Sequence, residues 1–68
     1  MHSVDEYCRR QSTDTLILIL RAFFDDPSAY TTDIIELIFS ILLERHPEDT
    51  DILDAWQAFI EIYGNSLE

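Results

Sequence analysis

The 68-residue chain is expected to be all-α, a small up-down helical bundle with one short N-terminal helix followed by three longer helices. Three observations carry that expectation. Apolar residues recur at the three- and four-residue spacing of a helical face. Each such stretch is preceded by Ser, Thr or Asp, the residue types that cap helix N-termini. The polar connections are short, and helices joined so tightly pack as antiparallel neighbours.

The first helix is expected over residues 4–10, behind the capping-box pattern Ser3-Val4-Asp5-Glu6. Its basic end, Arg9-Arg10, suits the negative pole of a helix C-terminus. Ser12 then caps a second helix over residues 13–24, with Asp14 in its first turn. The run Leu16–Leu20 alone also fits a buried strand, but Leu16, Ile19, Leu20, Phe23 and Phe24 keep helical spacing. Asp25-Asp26-Pro27-Ser28 breaks that helix, because a residue before proline leaves helical angles. Thr31 caps a third helix running to Arg45, with Tyr30 and Ile35 placed as a hydrophobic staple. Its expected stripe is Ile34, Leu37, Ile38, Ile41 and Leu42, and His46-Pro47 ends it. Asp49 or Thr50 caps the last helix, over residues 51–63, with a stripe of Ile52, Trp56, Phe59, Ile60 and Tyr63. Gly64 is placed as a left-handed residue closing it, with Asn65 following. Residues 1–66 make one domain, and Leu67-Glu68 has the form of a dipeptide left by an expression vector.

The composition excludes several functions. Fourteen acidic residues against four basic ones give a net charge of −10, and there is no Lys. Neutralising phosphates requires clustered Lys and Arg, so direct nucleic-acid binding is not expected, nor is binding to an anionic membrane surface. The longest unbroken apolar run, Leu16–Leu20, is far shorter than a membrane span. One cysteine, Cys8, permits no intramolecular disulfide, which fits a reducing, cytoplasmic setting.

The search for chemistry yields no enzyme and no cofactor. His2, Cys8 and His46 do not pair at metal-ligand spacing. Asp25-Asp26 and Asp49-Thr50-Asp51 lack the loop length and glycine of a calcium site and read as turn and cap residues. Cys8 has Arg9 and Arg10 beside it but no base, and reads as a small core hydrophobe. A phosphate cradle needs a glycine-rich loop, and Gly64 is the single glycine. Trp56, Phe59 and Tyr63 recur at helical spacing and read first as core.

The two middle helices are apolar around most of their circumference. An amphipathic helix in a small bundle buries one stripe and leaves the rest polar. Here Ile17, Leu18 and Phe24 in the second helix, and Ile35, Phe39 and Leu43 in the third, are expected to stand as a surplus and to form an interface. Four such side chains left in water forgo roughly 1.5–3 kcal/mol each. That sum is comparable to the stability of a whole small domain. A homodimer is the expected occupant, since twofold dimers are the commonest oligomers. The alternative is that the short first helix and the tail cover the surplus.

The segments Tyr7-Cys8-Arg9-Arg10-Gln11-Ser12-Thr13-Asp14, Leu16–Leu20, Tyr30, Ile34–Leu43, Glu44-Arg45 and Ala55–Tyr63 together suggest a family. Over residues 5–63 the chain resembles the N-terminal cytoplasmic segments of membrane-associated, anti-sigma-factor-like proteins of Clostridia-like bacteria. The resemblance implies a bacterial, cytoplasmic, regulatory domain that binds a regulator such as a sigma factor. The chain departs from the zinc-containing anti-sigma class in lacking the His-x-x-x-Cys-x-x-Cys signature. The expected function is therefore a non-catalytic protein–protein interaction module that self-associates. Two alternatives remain open: an anti-sigma-like domain sequestering a protein with a basic, DNA-binding surface, and an acidic inhibitor mimicking nucleic acid.

Overall fold

A computed structural model describes residues 3–64 as an all-helical domain. His2, Asn65 and the Leu67-Glu68 dipeptide lie outside the described residues. Helix α1 spans Val4–Arg9, α2 Thr13–Asp25, α3 Thr32–Arg45 and α4 Thr50–Tyr63, with a single 3₁₀ turn at Pro27–Ala29 between α2 and α3.

Each start is set by a side chain that accepts an otherwise unpaired backbone N–H. Ser3 accepts from the Glu6 N–H at 3.1 Å, Ser12 from Thr15 at 3.1 Å and Thr31 from Ile34 at 3.4 Å. Asp49 caps α4 and accepts from both Asp51 and Ile52, at 3.0 and 3.2 Å. The capping box at Ser3 is only half formed. Glu6 does not reach back to Ser3; its carboxylate pairs with Arg10 at 3.3 Å, one turn on. His46 ends α3 in a non-helical conformation (φ −134°, ψ 67°), as a residue before proline must. Gly64 follows α4 with right-handed angles (φ −60°, ψ −35°), so the expected left-handed closure is absent.

Helix α3 is the hub, packing against α1, α2 and α4. Its fully buried residues are Ile35, Ile38, Phe39, Ile41 and Leu42. At about 100° per residue these cover an arc of about 160°. The expected stripe is thus rotated. Ile34 and Leu37 are only partly buried, while Ile35 and Phe39 take central places. The physical reason is the number of neighbours: a helix covered by three others needs a wide apolar arc. Helices α2 and α4, which lie to the sides, bury narrower stripes: Leu16, Leu20 and Phe23 in one, Ile52 and Phe59 in the other.

Aromatic rings join the three long helices. Phe39 lies 5.3 Å from Trp56 and 5.5 Å from Phe59 between ring centres. Trp56 stacks on Phe59 at 5.6 Å. Phe23 reaches Phe59 and Tyr63 from α2 at 6.1 and 5.3 Å. Such pairs add to the stabilisation from burial alone. Trp56 is therefore occupied by the core, as its helical spacing suggests.

Polar contacts fasten the short α1. Its one buried residue is Cys8. The Arg45 guanidinium donates to the carbonyls of Arg9 at 2.7 Å and Gln11 at 3.0 Å, satisfying acceptors that the end of α1 leaves open. Arg9 bridges Asp5 at 3.0 Å and Glu44 at 2.9 Å. The Thr13 hydroxyl and the His46 ring lie 3.3 Å apart, so α2 and α3, joined at one end by the 26–31 turn, are tied at the other as well.

Candidate functional site

Ile35 and Phe39 are withdrawn from the expected interface. Both are completely buried by the chain's own packing under the α3 hub, and neither reaches the surface. Leu43 is partly buried and packs against the core from α3. The three candidates of α2 fare differently. Leu18 is 63% exposed and Phe24 40% exposed, while Ile17 is partly buried. A side helix with a single packing stripe cannot hide residues that point elsewhere around its circumference.

Ile17 and Phe24 come together in a groove of about 280 Å³ between α2 and α4. Leu20 of α2 and Ile52 and Ala55 of α4 complete its apolar lining. Arg21 stands on the α2 side, and Asp49 and Asp51 on the α4 side. The spacing 17, 20, 21, 24 is one helical face, which is why these four side chains share a wall. Leu18 lies one turn before Arg21 on the same helix. No ion pair closes across the groove among the described residues.

The sequence pattern marks only the α2 half of the groove. Arg21 carries no motif, and the sequence marks Asp49 and Asp51 as cap residues and Ile52 as core only; they meet because α3 brings α2 and α4 alongside one another. Exposed apolar residues were missed elsewhere. Ile60 is 41% and Ile62 63% exposed on α4, and Val4 and Tyr7 are exposed on α1. The spacing places Ile60 on the α4 stripe, yet it sits about 80° round from Ile52 and falls off the packed face.

Burial raises the Cys8 thiol above its ordinary pKa, and the negative charge of Asp5 raises it further, which disfavours the reactive thiolate. Among the described residues no three His, Cys, Asp or Glu side chains gather as metal ligands, and no buried side-chain polar atom lacks a partner. Among them, too, no helix is long and apolar enough to cross a membrane.

Comparison with protein-family models, with curated proteins and with solved structures returns no match to this chain.

Proposed function

We propose that the chain is a non-catalytic protein–protein interaction module whose partner is a second copy of itself. The observation that carries this is the α2 surface: Phe24 is exposed in a groove also lined by Ile17, Leu20, Ile52 and Ala55. A contiguous apolar lining open to solvent, with an exposed aromatic ring in it, marks a contact surface. Burying Phe24 in the groove of a second copy recovers area that the single chain leaves in water. The test is solution mass by light scattering across a hundredfold dilution. A dimer is expected for the native chain, shifted to monomer by Phe24→Glu, with helicity retained in the variant. A monomer at every concentration would refute self-association.

The charge favours one second reading. Arg9, Arg10 and Arg45 are all engaged within the chain, so the carboxylates dominate what the surface presents. That surface suits a cytoplasmic regulator sequestering a basic, DNA-binding partner, the role implied by the anti-sigma-like resemblance. Binding of that kind weakens steeply as salt is added.

A further inference from the structure

We infer that the two copies pair through the same α2–α4 groove on each, in a register set by Arg21 of one copy meeting Asp51 of the other. This rests on the self-association proposed above and specifies its geometry. Three observations support it. First, Arg21 is unlike the other arginines: Arg9 and Arg10 hold carboxylates of their own chain, and Arg45 holds backbone carbonyls. The Arg21 side chain makes no hydrogen bond or ion pair among the described residues, although the molecule carries a charge of −10. Second, this lone cation lines an apolar groove whose opposite side presents Asp49 and Asp51. Asp49 is committed to capping α4, whereas the exposed Asp51 carboxylate is unengaged. Third, a twofold contact joins a patch to its own copy, so a residue on one side of the groove meets the residue on the other side in the partner. A patch carrying a cation on one wall and a carboxylate on the other is complementary to itself under that rotation. The apolar residues between them, Ile17, Phe24, Ile52 and Ala55, then form the dry centre of the contact, with the charged pairs at its rim.

The test is a charge swap followed by sedimentation equilibrium, with far-UV circular dichroism to show that each variant is folded. Arg21→Glu places two carboxylates together at both rims, and Asp51→Arg places two guanidinium groups there. At 0.15 M salt, where repulsion between the net charges is largely screened, each single variant is expected to weaken the dimer by about tenfold or more, from the loss of two exposed pairs and the added local repulsion. An equimolar mixture of the two variants restores opposite charges at both rims and is expected to form a one-to-one heterodimer. The doubly substituted chain, carrying both changes, is expected to recover the homodimer. Single variants that dimerise as well as the native chain, or a mixture that fails to recover, would overturn the Arg21–Asp51 register and leave self-association standing. A native chain that is monomeric throughout would remove both.

Discussion

Phe39 and Phe24 are the same side chain in opposite situations. Phe39 is fully buried against the rings of Trp56 and Phe59, whereas Phe24 stands 40% exposed at the groove. Truncating a buried Phe removes its transfer free energy and leaves a cavity, at a cost of about 3–5 kcal/mol. For a domain this small that is most of the stability available. Phe39→Ala is therefore expected to lower the thermal midpoint by roughly 12–40 °C, or to abolish the transition, at about 4–8 °C per kcal/mol. Phe24→Ala, measured at a dilution where the chain is monomeric, is expected to cost less than about 1 kcal/mol. Thermal melts followed by circular dichroism separate the two. Comparable losses from both would mean that Phe24 is a core residue and would remove the exposed anchor from the proposed interface. Spacing within one helix could not distinguish these two phenylalanines, because burial depends on how many neighbours the whole helix has. That quantity is not local.

At the scale of elements, the helix starts were legible because capping is local chemistry: Ser3, Ser12, Thr31 and Asp49 each accept from an N–H two or three residues on. The end of α3 at His46-Pro47 was legible for the same reason. The rotation of the α3 stripe and the attachment of α1 were not, since both depend on distant partners. Arg45 is the clearest case. In sequence it is a basic residue in the last turn of a helix, yet its guanidinium crosses to Arg9 and Gln11, more than thirty residues away, and holds down the end of α1. A helix of six residues has no stability of its own. It stays folded through Cys8 burial and these long-range bonds, while the exposed Arg9–Glu44 bridge adds little. Local opening of α1 should then be the lowest-energy excursion of the domain. Arg45→Met is expected to raise the rate at which Cys8 reacts with a thiol reagent by about tenfold, the effect of one lost hydrogen-bonding anchor. The melting behaviour of the three long helices should change much less. An unchanged labelling rate would show that Cys8 burial alone retains α1. The residues behind the anti-sigma-like resemblance belong largely to this same local layer. Ser12 is a cap, and Leu16, Leu20, Ile35 and Phe59 are core, so that pattern is one a small helical domain requires for folding.

At the scale of the whole molecule, charge and apolar surface act in opposition. Two copies at −10 each, with centres separated by about the shortest molecular extent of 23 Å, repel strongly before screening. Coulomb's law in bulk water puts the unscreened repulsion at about 18 kcal/mol for point charges. Debye screening reduces it to roughly 8 kcal/mol at 0.01 M salt, where the screening length is about 30 Å, and to roughly 1 kcal/mol at 0.15 M, where it is about 8 Å. The Arg21–Asp51 pairs also weaken with salt, but exposed pairs are worth only about 0.2–1 kcal/mol each, so the repulsion decides the sign. Self-association should therefore tighten as salt is added, by at least about a hundredfold in dissociation constant between 0.01 and 0.15 M. Capture of a basic partner by the same acidic exterior has the opposite slope, since attraction is what the salt then screens. Sedimentation velocity at 0.01, 0.05 and 0.15 M sodium chloride measures that slope directly. A dimer that dissociates as salt rises would mean that attraction between opposite charges, rather than the apolar groove, holds the copies together, and the contact would then have to be sought away from Phe24.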